Sequence, residues 1–384
     1  MKYFIIAGEA SGDLHGSNLM AEIKKQDTEA EFCFFGGDLM AAQGGTLLKH
    51  FREMAFMGFI TVVRNIRTVL RNLADCERAI AEYRPDCLIL IDYPGFNLRI
   101  AKYAKEKLGL RTYYYVSPQL WAWKEGRIKT IRKYVDELYC ILPFEVNFYK
   151  RHNYKAHYMG SPVVDAVENH SYHGEGFGHF AQEIGLSSDP IVALLCGSRR
   201  QEIKDNLPIM LEATKHLTDH QLIIAAAPGI EREYYDSFIK DYRVTILQGS
   251  TYRILEQASA ALVTSGTATL ETALFRVPQA VCYYVKGGKF VYSLYRMLIK
   301  VRYISLVNLI ADERVVKELV AHKLTVESAR KEIDRLLFDN GYRAKMMKRY
   351  ERIIQLIGKS GASQRVATSI VEKAKADLQN KKQG

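Results

Sequence analysis

The chain of 384 residues carries 54 Lys and Arg against 43 Asp and Glu, a net charge of +11, and 48% of its residues are hydrophobic. A single core rarely grows past about 250–300 residues, so this length favours two domains. With 11% aromatic and 25% charged residues, disorder is excluded as the main state. The six cysteines are scattered and form no Cys-x-x-Cys pair, which supports neither a disulfide framework nor a zinc site.

The sequence also predicts where the protein acts. The first residues are typical of a short buried strand and not of a signal peptide. No run of about 18 uncharged apolar residues occurs, because the apolar stretch 290–310 is interrupted by Arg296, Lys300 and Arg302. We therefore expect a cytoplasmic protein without a membrane span. Its positive charge is typical of proteins that meet nucleic acid, anionic lipid or phosphorylated substrates.

Short apolar runs alternate with longer segments of helical periodicity, which predicts an α/β fold with parallel sheets. Strands are predicted at 3–7, 31–35, 87–91, 111–116 and 137–142, and then at 191–196, 221–226, 244–247, 260–264 and 279–283. The irregular stretch 152–189 is interpreted as the interdomain linker. Its histidines His170, His173 and His179 are expected in a solvated loop. From Val315 onward the pattern is nearly all helical, and two Rossmann-like domains facing a cleft are the expected architecture.

Ligands of open parallel sheets bind at the carboxyl ends of the strands. The first candidate there is the segment 8–16, which follows the first strand and begins a helix. Its glycines permit close backbone approach, and Ser11 or Asp13 could cap the helix. It is not a G-x-G-x-x-G motif, so a dinucleotide site is not expected. The density of Glu9, Ser11, Asp13 and His15 favours a ligand site over a plain capped turn.

Asp92 is the second candidate, because it follows four apolar residues at the end of a predicted strand. A carboxylate in that position is partly desolvated, which raises its pKa and suits it to general-base catalysis. Spacing alone leaves open the alternative that Asp92 caps the turn before Pro94.

Two further strand ends are candidate phosphate-binding sites. At 195–202 a glycine turn precedes a helix, and backbone amides with Arg199 would form an anion site that lacks the ending of a P-loop. At 264–271 small hydroxyl residues begin a helix, and Glu271, one turn along, could accept both hydroxyls of a ribose. The alternative is an ordinary Ser/Thr-capped helix with a solvent-facing Glu271. No Asp-x-Asp pair and no histidine cluster with metal-ligand spacing occurs, so the expected phosphate site is metal-free.

Two basic amphipathic stretches, 59–73 and 286–303, place apolar residues at helical spacing beside arginines and lysines. Such stretches are typical of helices that lie on an anionic membrane or line an acyl pocket, and the alternative is an ordinary helix packed on the core. The tyrosine content keeps nucleic-acid binding open, but no nucleic-acid motif supports it.

Five segments in order along the chain resemble the lipid-A-disaccharide synthase family. They are Gly-Glu-Ala-Ser-Gly-Asp at 8–13, Tyr-Val-Ser-Pro-Gln-Leu-Trp-Ala-Trp at 115–123, Leu-Pro-Phe-Glu at 142–145, Gly-Ser-Arg at 197–199 and Ser-Gly-Thr-Ala-Thr-Leu-Glu at 265–271. Without the resemblance, Trp121 and Trp123 would be interpreted as a core or cleft-lining aromatic pair. The resemblance departs at Cys196 and Val307, where the family commonly has Pro, and at Gly95, where a second aspartate often follows Asp92.

The resemblance implies an inverting GT-B glycosyltransferase that joins UDP-2,3-diacylglucosamine to 2,3-diacylglucosamine 1-phosphate, giving the β-1,6 disaccharide 1-phosphate and UDP. It implies no cofactor or metal, no nucleic-acid partner, a place on the cytoplasmic face of the inner membrane, and often a homodimer through exchanged C-terminal segments. The domains are expected at 1–165 for the acceptor, 166–345 for the donor, and 346–384 as helices that return to the first domain or a partner.

On this basis each candidate residue receives a role. Asp92 is the expected base, with Glu9 as a second catalytic candidate, and Ser11, Asp13 and Trp121 line the acceptor side. The expected donor residues are Arg199, Ser265, Gly266, Thr267, Glu271 and Asn308. The rival hypotheses are another GT-B transferase or epimerase of UDP-N-acetylglucosamine, and a non-catalytic protein that binds anionic lipid or nucleic acid.

Overall fold

A computed structural model describes residues 1–54, 66–122, 124–284 and 301–383. These residues form two compact units. The first contains Met1–Pro162 and the chain end Lys359–Gly384, and the second contains Val163–Gly358. The predicted basic amphipathic stretches 59–73 and 286–303 lie partly outside the described residues, and Trp123 lies outside them.

The first unit is built on a seven-stranded parallel sheet of order β3-β2-β1-β4-β5-β6-β7. The strands are β1 Lys2–Ala7, β2 Glu31–Gly36, β3 Thr46–His50, β4 Cys87–Ile91, β5 Arg111–Tyr115, β6 Glu137–Cys140 and β7 His157–Tyr158. The helices before the unit boundary are α1 Ala10–Gln26, α2 Asp38–Ala42, α3 Ile66–Tyr83, α4 Pro94–Leu108, α5 Ile128–Tyr134 and α6 Pro143–Arg151, and α7 Pro162–Glu168 starts at the boundary and lies almost entirely in the second unit. All five residues of β4 are buried, because helices cover both faces of a parallel sheet.

The second unit has a six-stranded parallel sheet of order β10-β9-β8-β11-β12-β13. Its strands are β8 Ile191–Leu195, β9 Gln221–Ala226, β10 Val244–Gln248, β11 Ala258–Thr264, β12 Gln279–Tyr283 and β13 Lys317–Val320. Its helices are α8 Phe177–Ile184, α9 Arg200–Thr214, α10 Arg232–Ile239, α11 Thr251–Gln257, α12 Thr267–Leu274, α13 Leu306–Ala311, α14 Val326–Phe338 and α15 Asn340–Ile357.

The last helix of the chain, α16 Ala362–Gln383, belongs to the first unit. It packs against α1 and buries an apolar stripe of Val366, Ile370 and Val371, each at most 3% exposed. Polar contacts fix the same helix to the sheet, because the Tyr139 hydroxyl lies 2.9 Å from the Ser369 hydroxyl. The first unit is therefore built from residues at both ends of the sequence.

Two expectations about the elements were wrong. The stretch 152–189 contains a strand and two helices, and the His170 side chain is 7% exposed and not solvated, whereas the side chains of His173 and His179 are 70% and 73% exposed, as expected. The region after Val315 is not all helical, because β13 adds an edge strand to the second sheet.

Candidate functional site

In each sheet the strand order reverses at one point. This switch point lies between β1 and β4 in the first sheet and between β8 and β11 in the second. Crevices open at such switch points because the loops after the two strands diverge to opposite sides of the sheet. Ala7 pairs with Ile91 across the first switch point, which places the loops that carry Glu9 and Asp92 at the same sheet edge. Val263 pairs with Leu195 across the second.

The backbone at Asp92 is held in an uncommon conformation. Asp92 and Tyr93 both have positive φ, 45° and 46°, which for non-glycine residues costs on the order of 1–3 kcal/mol each. The carbonyl oxygen of Asp92 accepts hydrogen bonds from the Tyr114 hydroxyl and, at 2.7 Å, from Asn97 Nδ2. Asn97 also donates to the Ile91 carbonyl at 3.1 Å and is fully buried. These contacts fix the backbone at Asp92, the point from which its side chain leaves the strand end.

Gly8 makes room for this turn. A Cβ atom at position 8 would lie 2.3 Å from the Tyr93 ring, so only glycine permits the contact. The Tyr93 ring stacks on Phe96 at 5.7 Å, and its hydroxyl donates to the Met54 carbonyl at 2.9 Å. The glycine after β1 therefore supports the turn after β4.

The carboxyl of Asp92 has the electrostatics of a general base. Burial first, and then the negative charge of Glu9, raise the pKa of Asp92 to about 6. A base with a pKa near the working pH combines a large ionised fraction with useful basicity. The sequence predicts that the Asp92 carboxyl is desolvated. The effect of Glu9 on the pKa of Asp92 could not be predicted, because it depends on the pairing of β1 with β4.

Asp13 has a different role from the one expected. Its carboxylate accepts hydrogen bonds from the backbone amides of Gly37 at 2.8 Å, Leu39 at 3.1 Å and Met40 at 3.1 Å. It is 3% exposed and caps α2, so the expectation that it lines an acceptor cleft or caps its own helix is corrected. Ser11, in the first turn of α1, is exposed.

The indole of Trp121 is bound by a buried residue, Glu145, for which no role was predicted. The indole Nε1 donates to Glu145 Oε1 at 3.0 Å, and the other carboxylate oxygen accepts from the amides of Ile141 and Leu142. Burial raises the pKa of Glu145 to about 7 against the effect of these donors. The indole also packs edge-on against Phe144 at 5.0 Å. The signal in the sequence was the Leu-Pro-Phe-Glu segment itself.

In the second unit a cavity of about 490 Å³ opens at the switch point between β8 and β11. It brings together five of the predicted donor residues, namely Arg199, Ser265, Gly266, Thr267 and Glu271. Gly266 and Thr267 are exposed at the beginning of α12, where the positive end of the helix dipole attracts a phosphate. The Ser265 hydroxyl donates to the Ile304 carbonyl at 3.0 Å and so supports the turn.

The glycine turn after β8 differs from the anion site that was predicted from its backbone amides. The amide of Ser198 donates to Glu202 Oε2 at 3.0 Å, and Arg199 lies 3.8 Å from the other oxygen of the same carboxylate. This part of the cavity wall therefore offers a cation next to a carboxylate. The Ser198 amide is therefore not available to the anion site predicted for this turn, and the beginning of α12 is the better place for a phosphate.

Glu271 is mostly buried in the cavity wall, and the Tyr252 hydroxyl donates to its Oε1 at 2.9 Å. Burial raises the pKa of Glu271, and the hydrogen bond from Tyr252 opposes that rise. Tyr252 was not predicted, because nothing in its spacing links it to Glu271.

The structure does not bring Asn308 into this cavity. Asn308 is fully buried, and its side chain donates to Val316 O and Glu318 and accepts from the amides of Val315 and Val316. Its amide group is thus used inside the fold, which corrects the expectation that it orients the nucleotide.

Two groups of possible metal ligands occur among the described residues, and neither lines the cavity. In the first, His170 and His173 lie near Glu256, but the Tyr172 amide donates to His170 Nδ1 at 3.3 Å, which leaves the ring proton on Nε2, the atom that faces Glu256. The second is Glu175, His179 and Glu183, whose two carboxylates bind the buried Arg253. The sequence did not predict either group.

The chain superimposes on a UDP-sugar epimerase and on a glycosyltransferase. UDP-GlcNAc 2-epimerase from Neisseria meningitidis, solved with UDP-GlcNAc, gives a TM-score of 0.68 at 12% identity over 97% of this chain and 100% of that one. The calicheamicin glycosyltransferase CalG4 gives 0.60 at 13% identity over 97% of both chains. These likenesses define the fold, which is that of the GT-B class with two Rossmann-like units.

Sequence comparison then defines the family. A model described as lipid-A-disaccharide synthetase matches residues 3–372. The lipid-A-disaccharide synthase of Myxococcus xanthus is 39% identical over 97% of both chains, and that of Geobacter metallireducens is 36% identical over the same share. The chain therefore belongs to the lipid-A-disaccharide synthase family of glycosyltransferases. Within the described residues, no helix is long and apolar enough to cross a membrane.

Proposed function

We propose that this enzyme transfers a 2,3-diacylglucosaminyl group from UDP to the 6-hydroxyl of 2,3-diacylglucosamine 1-phosphate. Asp92 takes the proton of the 6-hydroxyl while the oxygen attacks the anomeric carbon, and the bond to UDP breaks on the opposite side. The product is a β-1,6 disaccharide 1-phosphate with inverted configuration, and UDP leaves.

The carboxyl of Asp92 carries this proposal. A pKa of about 6 leaves it ionised at neutral pH and still basic enough to share a proton as the sugar oxygen attacks. The hydrogen bonds to the Asp92 carbonyl hold the backbone from which the side chain extends, which supports a positioned base. Glu9 contributes by raising that pKa, and Ser11 and Trp121 are proposed to contact the acceptor.

The cavity of the second unit is proposed to hold UDP. Arg199 and the beginning of α12, at Gly266 and Thr267, would stabilise the charge that develops on the leaving diphosphate. Glu271 would accept hydrogen bonds from the ribose hydroxyls. The volume of about 490 Å³ is within the range of small-ligand sites.

We also propose that the enzyme works at the cytoplasmic surface of the inner membrane, because both substrates carry acyl chains. The net charge of +11 favours contact with anionic lipid. At the beginning of α3 the side chains of Arg67, Leu70 and Arg71 are exposed, with Leu70 at 52%, as expected for a helix that meets a lipid surface. A homodimer through the C-terminal segment remains a prediction from the family resemblance.

The test is UDP release by the purified protein in detergent, given UDP-2,3-diacylglucosamine with and without the acceptor. Acceptor-dependent UDP, together with a disaccharide 1-phosphate in the mass spectrum, is the expected result. UDP without a disaccharide would indicate hydrolysis or another acceptor. Absence of UDP from folded protein would favour a binding protein, and an isomerised UDP-sugar would favour an epimerase.

A further inference from the structure

Tyr252 reaches the predicted ribose-binding residue from behind the cavity wall. Its hydroxyl donates to Glu271 Oε1 at 2.9 Å, while Tyr252 itself is not among the residues that line the cavity. Its neighbour Thr251 does line the cavity, at the beginning of α11. A carboxylate with one oxygen bound from behind presents its other oxygen in a fixed direction.

The Tyr252 ring is itself held on two sides. It packs edge-on against His170 at 5.8 Å and at a tilt against Phe275 at 5.5 Å, and these two rings contact each other at 5.4 Å. The next residue, Arg253, is 3% exposed and forms ion pairs with Glu175 and Glu183. Tyr252 therefore has little freedom to swing away from Glu271, and the stretch predicted as a linker supplies part of this support.

We propose that Tyr252 is a positioning residue of the donor site, whose hydroxyl fixes the Glu271 carboxylate so that its second oxygen accepts a hydrogen bond from the donor ribose. This inference rests on the proposed function, in which the cavity holds UDP. The same hydrogen bond favours the ionised form of Glu271, since it opposes the rise in pKa that burial causes. An ionised acceptor forms the stronger bond to a hydroxyl.

The experiment compares UDP with 2′,3′-dideoxy-UDP by calorimetric titration of the full-length protein. The variant is Tyr252→Phe, which keeps the packed ring and removes the hydroxyl. Its matched control is Tyr242→Phe, because the Tyr242 hydroxyl also donates to a carboxylate, Glu212, at 2.9 Å in the same unit but away from the cavity. Affinity for the dideoxy ligand reports whether the cavity remains folded.

The wild type is expected to prefer UDP over the dideoxy ligand. Tyr252→Phe is expected to weaken UDP binding about tenfold, to leave dideoxy-UDP binding unchanged, and to raise KM for the UDP-sugar more than it lowers kcat. Tyr242→Phe is expected to change neither affinity. The inference would be overturned if Tyr252→Phe left the affinity for UDP unchanged, or if it lowered the affinities for UDP and dideoxy-UDP equally. In either case, disaccharide synthesis by the wild type would still support the proposed function. A wild type that binds no UDP would overturn both.

Discussion

The acid–base properties of Asp92 depend on a second carboxylate, Glu9, which follows the neighbouring strand. The pKa of Asp92 is raised by burial and by the charge of Glu9, so the fraction of ionised Asp92 falls as the pH drops through about 6. If Asp92 is the base, kcat/KM decreases on the acid side with that apparent pKa. The sequence predicted the buried carboxylate, but not its neighbour, because pairing of β1 with β4 joins residues that are far apart in the chain.

Glu9→Gln tests this coupling. Removal of the neighbouring negative charge favours ionised Asp92, so the acid limb of the kcat/KM profile is expected to move to lower pH. Glu31→Gln is a suitable control, because Glu31 is an exposed carboxylate at the amino end of β2. If the acid limb of the profile stays in place or moves to higher pH, Glu9 does not raise the pKa of Asp92.

At the scale of elements, the short helix α2 depends on Asp13 of α1. Three backbone amides at its beginning donate to that one carboxylate, which is buried. The sequence placed Asp13 in a cluster of polar residues at a strand end and suggested a ligand group or a cap for its own helix. The contact with α2 could not be predicted, because it joins residues 24 to 27 positions apart.

Asp13→Ala is expected to lower the free energy of unfolding by about 1–3 kcal/mol, because it leaves buried amides without an acceptor. Urea denaturation measures this change. Asp38→Ala is the matched control on α2, since the Asp38 side chain is 76% exposed and its ion pair with Arg52 lies at the surface. Equal stability of the two variants would contradict the capping role.

The strands that sequence reasoning missed share one property, since β3, β7 and β13 are all edge strands. An edge strand pairs on one side only, is often short and carries polar residues, so it lacks the continuous apolar run of a central strand. The central strands β1, β4, β8 and β11 were predicted because they are nearly continuous buried apolar runs. The remaining edge strand, β10, was predicted as well. As the sites lie at the ends of the central strands, the candidate residues were found even though three of the four edge strands were not.

For the whole molecule, the position of α16 is the main feature that sequence order hides. Periodicity predicts a helix there, and the family resemblance implies that residues 346–384 return to the first domain or a partner, but neither identifies α1 as the contact or places α15 in the second unit. Ile370 is fully buried in that contact. Stability of the first unit therefore depends on the last residues of the chain.

Ile370→Ala is expected to destabilise the first unit by about 2–5 kcal/mol through the cavity that it leaves. Both tryptophans of the chain, Trp121 and Trp123, lie within residues 1–162, so their fluorescence follows the unfolding of this unit. Glu372→Ala, at an exposed position of the same helix, serves as the control. An unchanged fluorescence midpoint for Ile370→Ala would argue against the packing of α16 described above.

The most direct test of the mechanism is a paired measurement on Asp92→Asn, namely its rate of acceptor-dependent disaccharide synthesis and its affinity for UDP. The substitution keeps the shape of the side chain and removes its basicity. We expect turnover to fall roughly 100-fold or more, because a general base contributes that much, while UDP binding by the second unit stays unchanged. Turnover within a few-fold of the wild type would contradict the assignment of Asp92 as the base, and so would a loss explained by weaker UDP binding.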